Sequence, residues 1–132
     1  MKTTIHHVQL NVSKKDVSFS FYKRFLGYWG FKVSYEDANV LGMSDGSVSF
    51  WLEPTDPTRA RSKYHRKHTG INHIALRTES KEAVDTFKRE FLDPEGIVPL
   101  YNSPRIFSEY SETYYAVYFE DPDRIKLEIV SP

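Results

Sequence analysis

The stretch IHHVQLNV at residues 5–12 is nearly repeated as INHIALRT at residues 71–78. Both alternate between apolar and polar residues, which predicts a β-strand with two distinct faces. His7 and His73 hold the same place in the two stretches, 66 residues apart. An internal repeat decides the fold class when it extends over the chain, so this pair of strands predicts two copies of one module.

The repeat continues beyond these strands. At the same shift of 66 residues Phe21 falls on Phe87, Phe25 on Phe91, Leu26 on Leu92 and Gly30 on Gly96. The ends of the two halves align at a shift of 78, which places Asp45 on Asp123, Phe50 on Glu128 and Pro54 on Pro132. The second module therefore carries 12 extra residues, and the segment 102–113 is the expected place for them.

Each module is predicted to form a strand, a helix and then three strands. Ser13 and Ser80 stand where helix N-caps are expected, and Gly27 is a natural stop for the first helix. We expect one domain over residues 1–132, with module one at 1–57 and module two at 70–132. The basic connector 58–69 favours a solvated linker, and the alternative is a gate for an anionic substrate.

Composition excludes several classes of protein. The chain of 132 residues has no cysteine, which removes disulfides and thiolate metal sites and fits a reducing compartment. The formal net charge is zero, so no nucleic-acid partner is expected. No apolar run is long enough for a membrane span, so no membrane association is expected. Composition therefore predicts a soluble cytoplasmic protein.

The order of motifs is similar to that of a known family. HHVQLNV followed by FYKRFLG in the first half, and NHIAL followed by FEDPDRIKLEIV in the second, resemble the vicinal oxygen chelate superfamily, which includes glyoxalases, bleomycin resistance proteins and extradiol dioxygenases. The resemblance covers essentially the whole chain. It implies an α+β fold in which two tandem βαβββ modules form a curled mixed sheet around a metal cleft.

The resemblance also implies a set of metal ligands. Carried over by position, these are His7, His73 and Glu128, around one divalent ion that could be Fe, Mn, Zn, Ni or Co. The fourth ligand position falls on Phe50, which would instead form an apolar wall of the cleft. Glu53 lies an odd number of residues from Phe50 and is expected on the opposite face. Such a cluster carries a net charge of +1 and favours an anionic chelating substrate.

Two further residues are predicted to face the substrate. Tyr118 precedes the DP turn and is a candidate catalytic residue together with Glu128, although it could equally fill the cleft as one more aromatic side chain. Gln9 lies two residues after His7 on the same face, where it would contact the substrate or orient a ligand. The alternative for His7, His73 and Glu128 is a buried polar cluster that holds no metal.

The expected function is a metal-dependent enzyme of the dioxygenase or lyase type that acts on a small oxygen-chelating substrate. Two alternatives stay open: a non-enzymatic protein that binds an antibiotic or another small molecule, and a fosfomycin-type thiol transferase. A homodimer is expected, because one curled sheet cannot close a cleft alone. His7 would then meet His73 and Glu128 either within one chain or across the dimer.

Overall fold

The computed structural model describes all residues, 1–132, and divides into two compact units, Met1–Lys63 and Tyr64–Pro132. Each unit is one βαβββ module with its own open, mixed, four-stranded sheet. The predicted α+β fold with two tandem modules is therefore confirmed. The boundary between the units falls inside the predicted connector 58–69.

Unit one consists of β1 (His7–Val12), α1 (Lys15–Tyr28), β2 (Lys32–Glu36), β3 (Leu41–Ser44) and β4 (Ser49–Pro54). The strand order is β1-β4-β3-β2, and β1 runs parallel to β4. One face of the sheet is covered by α1, whose apolar stripe contributes Phe21, Tyr22, Phe25 and Leu26 to the core. The opposite face carries His7, Gln9 and Asn11, all exposed.

The ends of α1 differ slightly from the sequence prediction. Lys14, not Ser13, is the N-cap, and the Lys14 side chain itself makes no capping hydrogen bond. The helix passes through Gly27 and ends at Tyr28. The chain reverses at Gly30, whose φ of 85° lies in the left-handed region that glycine adopts freely, and the Phe31 N–H bonds back to the Leu26 carbonyl.

Unit two consists of β5 (His73–Arg77), α2 (Lys81–Phe87), a π-helical turn (Lys88–Leu92), β6 (Leu100–Ile106), β7 (Tyr115–Glu120) and β8 (Lys126–Ser131). The strand order is β5-β8-β7-β6, with β5 parallel to β8. The predicted cap of α2 is confirmed, because Ser80 Oγ accepts a hydrogen bond of 3.1 Å from the Ala83 N–H. Helix α2 packs on β7 and β8 through Phe87, whose ring lies 5.5 Å from that of Phe119.

The extra residues of module two are divided between a bulge and a loop. From Leu100 to Arg105 strand β6 advances by five residues, while its partner β7 advances by only two, from Tyr118 to Ala116. A loop then joins Ile106 to Tyr115. Within the bulge Tyr101 and Asn102 have φ values of 60° and 53°, in the left-handed region. Module two therefore has a larger bulge and a longer loop between its second and third strands than module one has.

No helix in residues 1–132 has the length and apolar character needed to span a bilayer.

Candidate functional site

The pairing of three strands in unit two brings the predicted site residues of that unit together. Glu128 on β8 lies opposite Ala75 on β5 and opposite Tyr118 on β7. His73 shares a face of β5 with Ala75, because side chains two residues apart point the same way. His73, Glu128 and Tyr118 therefore meet on one face, and the His73 ring lies edge to face with that of Tyr118 at 5.8 Å.

Glu128 is a fully buried carboxylate with two unlike oxygens. Its Oε1 accepts a hydrogen bond of 2.6 Å from the Tyr114 hydroxyl. Its Oε2 lies 3.0 Å from Nε2 of His73 but has no hydrogen-bond partner. Burying a carboxylate is costly unless it is paired. One oxygen of Glu128 is therefore held by Tyr114, and the other is left for a positive partner.

The neighbours of His73 decide what its two ring nitrogens can do. Nδ1 lies 2.8 Å from the Asn72 side-chain carbonyl. The amide group of Asn72 donates to the Arg66 backbone carbonyl at 3.3 Å, which turns its oxygen toward His73. Nδ1 therefore carries a hydrogen, and in a neutral ring Nε2 is a bare lone pair. That lone pair faces Glu128 Oε2, and two acceptors so close repel each other unless a proton or a cation lies between them.

Both tyrosines near Glu128 stay protonated over the ordinary pH range. Burial first, and then the hydrogen bond to Glu128, raise the pKa of Tyr114 to about 12. Burial and the neighbouring Glu128 carboxylate also raise the pKa of the Tyr118 hydroxyl well above its ordinary value. Tyr114 therefore stays the hydrogen donor to Glu128, and the phenol of Tyr118 is a hydrogen donor and not a base.

In unit one, β1 presents His7 and Gln9 on the exposed face of the sheet, as the alternation predicted. Their partners on β4 are Ser49 and Trp51. The Nδ1 of His7 lies 2.9 Å from Nδ1 of His6, which is also exposed. His7 is therefore accessible on this face of unit one.

The register of β4 corrects the expectation for Phe50. Phe50 pairs with Val8, is only 3% exposed, and its ring lies 5.7 Å from that of Phe31. It packs in the core on the face covered by α1, so it does not form a wall on the face of His7. Glu53 does lie on the opposite face from Phe50, as predicted, but this is the exposed face that carries His7, because Glu53 pairs with Asn11.

Trp51 holds the place in module one that Glu128 holds in module two. Each pairs with the residue two positions after the histidine of its module, Gln9 and Ala75 respectively. The Trp51 indole lies across Gly42, where an added Cβ would come within 2.8 Å of the ring. A carboxylate is therefore absent from this position, as expected, but an indole and not the Phe50 ring replaces it.

Several neighbours of the site were not predicted from the sequence. Tyr114 and Asn72 bond directly to Glu128 and His73. Lys126 lies on the same face of β8 as Glu128, with Nζ 3.3 Å from the Tyr101 hydroxyl. The period of two along the strand could have identified Lys126, and Asn72 is adjacent to His73. Nothing in the pattern indicated Tyr101 or Tyr114, because the β6 bulge and the following loop position them.

The pair formed by His73 and Glu128 fits a divalent ion. Neighbouring ligands bound at roughly 2.1 Å on an octahedral ion lie about 3.0 Å apart. The separation between Nε2 and Oε2 has this value, and the second nitrogen of His73 is oriented by Asn72 as metal-binding histidines usually are. Among residues 1–132, however, no three His, Cys, Asp and Glu side chains gather closely enough to hold an ion.

The family model for Glyoxalase/Bleomycin resistance protein/Dioxygenase superfamily matches residues 4–129. The chain belongs to this superfamily. That membership agrees with the two tandem βαβββ modules.

Individual proteins are also similar to this chain over nearly its whole length. This chain is 33% identical over 128 residues to Uncharacterized protein YqjT of Bacillus subtilis (strain 168), and the alignment covers 97% of this chain and 98% of that protein. A putative glyoxalase from Bacillus halodurans has 33% identity and a TM-score of 0.88, with 97% of this chain and 95% of that one covered. A fosfomycin resistance protein from Listeria monocytogenes has 19% identity, a TM-score of 0.70 and coverage of 100% and 95%. The last comparison shows the fold alone.

Proposed function

We propose that this protein is a divalent-metal-dependent enzyme, of the dioxygenase or lyase type, acting on a small, anionic, oxygen-chelating substrate. Glu128 Oε2 carries the proposal: it is buried, has no hydrogen-bond partner, and lies 3.0 Å from a histidine nitrogen whose lone pair faces it. A cation between these atoms removes the repulsion and neutralises the buried carboxylate. Superfamily membership supports a metal but does not select one.

The ligands in this proposal are His73 and Glu128, with His7 as the third. Imidazole and carboxylate suit Fe, Mn, Zn, Ni and Co. The ion would supply Lewis acidity toward two substrate oxygens. Asn72 orients the His73 ring, and Tyr114 holds Oε1 of Glu128, so that Oε2 would be left to bind the ion. His7 joins this pair either within one chain or from a second copy.

The neutral phenol of Tyr118 has the role of a hydrogen donor to a substrate oxygen. Its raised pKa keeps the proton in place until charge develops on the substrate. Gln9 shares the exposed face of β1 with His7 and would contact the substrate. Glu128 is proposed both as ligand and as catalytic carboxylate, and Phe50 has no part because it lies in the core.

A substrate screen tests the reaction class. Metal-reconstituted protein would be assayed with catechols, α-hydroxyketones and fosfomycin plus thiols, in air and under nitrogen. Turnover that requires oxygen identifies a dioxygenase, and turnover under both conditions identifies a lyase or transferase. Glu128→Gln should abolish either activity, and Glu53→Gln is the control. Turnover that survives Glu128→Gln or exhaustive metal removal would refute the proposal.

A non-enzymatic binding protein is the second candidate. It is favoured by a continuous series of aromatic contacts on the same face of unit two, with ring-centre distances of 5.1–6.3 Å. The series runs through Tyr101, Tyr118, Phe107, Tyr110 and Tyr114. Phe107 and Tyr118 are buried in the core, so the exposed rings of Tyr101 and Tyr110 would bind a flat organic molecule without any metal. Metal-free protein that binds ligands and never turns them over would support this candidate.

A further inference from the structure

Lys126 is a buried cation without an anionic partner. The residue is only 9% exposed, and the polar atom that its ammonium contacts is the Tyr101 hydroxyl, at 3.3 Å. The ammonium also lies 5.4 Å from the centre of the Tyr101 ring and 5.6 Å from that of Tyr118. Lysine is almost never buried unless it is paired, so the missing counter-charge needs an explanation.

The carboxylates nearest along the strands do not supply that charge. Glu120 lies directly opposite Lys126 in the ladder, but its two oxygens bond to Arg66 and Arg124, each at 3.0 Å. Glu128 shares the face of Lys126, but its Oε1 bonds to Tyr114 and its Oε2 faces His73. Aromatic faces stabilise an ammonium only in part. The charge of Lys126 is therefore free to bind an anion from outside the chain.

The backbone around Tyr101 favours a binding role over simple packing. A φ of 60° is unusual for a bulky aromatic residue, and Asn102 follows at 53°. Strain of this kind persists where the surrounding structure needs the side chain in one place. Here the β6 bulge brings the Tyr101 phenol within 3.3 Å of the Lys126 ammonium. Tyr101 remains 46% exposed, so a ligand can reach the pair.

The donors of the pair match a carboxylate. The ammonium donates one hydrogen to the Tyr101 oxygen and keeps two others, while the phenol keeps its own hydrogen. Two directed donors side by side suit two oxygens of one planar group. A phosphonate has three oxygens and up to two charges, and it would leave part of that charge unmatched. The exposed ring of Tyr101 offers a flat apolar surface beside the anchor.

We propose that Lys126 and Tyr101 bind the carboxylate of a small aromatic or unsaturated acid and so determine which substrates enter the site. This inference rests on the proposed function for the identity of the substrate, but the anion site itself needs no metal. Lys126 and Tyr101 are positioning residues that hold the substrate beside Glu128 and Tyr118.

Calorimetry on protein dialysed against EDTA tests the inference separately from the metal. Benzoate and benzamide are the probes, since they have the same shape and differ in charge, and phenylphosphonate is the third. We expect wild-type protein to prefer benzoate to benzamide by about tenfold or more. Lys126→Met should abolish this preference, Lys126→Arg should keep part of it, and Tyr101→Phe should reduce it.

Lys81→Met is the matched control. Its ammonium lies 5.8 Å from the centre of the Tyr115 ring, but on the exposed surface of α2. The control removes the same charge and the same type of ring contact, so the benzoate preference should not change. Far-UV circular dichroism checks that each variant is folded, and Lys126→Gln replaces Lys126→Met if the latter does not fold.

Several results would overturn the inference. These are no benzoate binding at about 10 mM, a preference that survives Lys126→Met, or stronger binding of phenylphosphonate than of benzoate. If benzoate fails to bind but metal-loaded protein turns over substrate, the anion site is refuted and the proposed function stands. If benzoate binds through Lys126 but the protein retains no metal, the metal enzyme is refuted and the anion site stands.

Discussion

Phe50→Glu and Trp51→Glu form a pair of substitutions that tests the register of β4. The two residues are adjacent, but Phe50 is 3% exposed in the core and Trp51 lies half-buried on the face of His7. A shift of one residue exchanges the faces of all side chains in a strand. The same charge at neighbouring positions should therefore have very different effects on stability.

The cost of Phe50→Glu follows from its surroundings. Truncating a buried phenylalanine costs about 3–5 kcal/mol, of which the carbon atoms of the new side chain recover a part. The new carboxyl must also be neutral in the core, and protonating it at pH 7 costs about 3–4 kcal/mol, from an ordinary pKa of about 4.3. We expect a total loss of about 4–7 kcal/mol, a large fraction of the stability of a small protein. Trp51→Glu should cost about 1–2 kcal/mol, mainly from the contact over Gly42.

The assay is urea unfolding monitored by far-UV circular dichroism at several pH values. The pKa of the introduced carboxyl is raised in the folded state, so the Phe50→Glu protein should regain stability as the pH falls toward about 4. Mn²⁺ or Zn²⁺ should not rescue it, since the position faces the helix. A Phe50→Glu protein that is nearly as stable as wild type, or one less affected than Trp51→Glu, would refute the register and the correction of Phe50.

Three further predictions concern unit two and the assembly. Tyr114→Phe should destabilise the fold by about 1.5–3 kcal/mol, because it removes a donor to a buried carboxylate, and urea unfolding should show no such loss for Tyr110→Phe. Burial raises the pKa of the Glu120 carboxyl, but Arg124 and Arg66 lower it by more, so this pKa is depressed in the folded state. Glu120→Gln should lower the free energy of unfolding by about 1 kcal/mol, and this loss should be constant from pH 6 to 8 and vanish below about pH 4. A stability difference between wild type and Glu120→Gln that grows as the pH falls would contradict the prediction. Sedimentation should show a dimer, and a monomer at micromolar concentration would contradict this prediction. Mixing His7→Ala chains with Glu128→Ala chains then tests whether two chains share a site. Metal retention that is restored in the mixture indicates a shared site.

The strands and their repeat could be predicted from the sequence because alternation is a local property. It placed His7 and His73 correctly, each on the face of its strand that lies away from the helix of its module. Ser80 was identified as a cap from the residue type alone, and the structure confirms it. Arg124, in the turn before β8, has a φ of 65°, in the left-handed region that glycine adopts most easily.

The register of β4 could not be predicted because it depends on the length of a turn. Asp45 Oδ1 accepts from the Val48 N–H three residues on, whereas Asp121 Oδ1 accepts from the Ile125 N–H four residues on. Asp121, and not Asp123, is therefore the counterpart of Asp45, and the second turn is one residue longer. Matching Asp45 to Asp123 shifted the alignment of the two modules by one residue, so that Phe50 and not Trp51 was aligned with Glu128. The residue types could not reveal this error in the register, because residues 50 and 51 are both aromatic.

The aromatic and basic neighbours of the site escaped prediction for another reason. Tyr101 is positioned by a bulge with two left-handed residues, and Tyr114 by the loop that follows. No periodicity describes such segments. The absence of a counter-charge for Lys126 is likewise visible only when the partners of Glu120 and Glu128 are known.

Equilibrium dialysis tests whether His73 and Glu128 hold a divalent ion. Wild-type protein, His73→Ala, Glu128→Gln and the control Glu53→Gln would each be loaded with Fe(II), Mn(II) or Zn(II), dialysed, and analysed for metal and protein. We expect up to one ion per set of His7, His73 and Glu128 in wild type and in Glu53→Gln, and losses of at least about tenfold in affinity for His73→Ala and Glu128→Gln. Wild-type protein that retains none of the three metals, or equal retention by all four proteins, would contradict it.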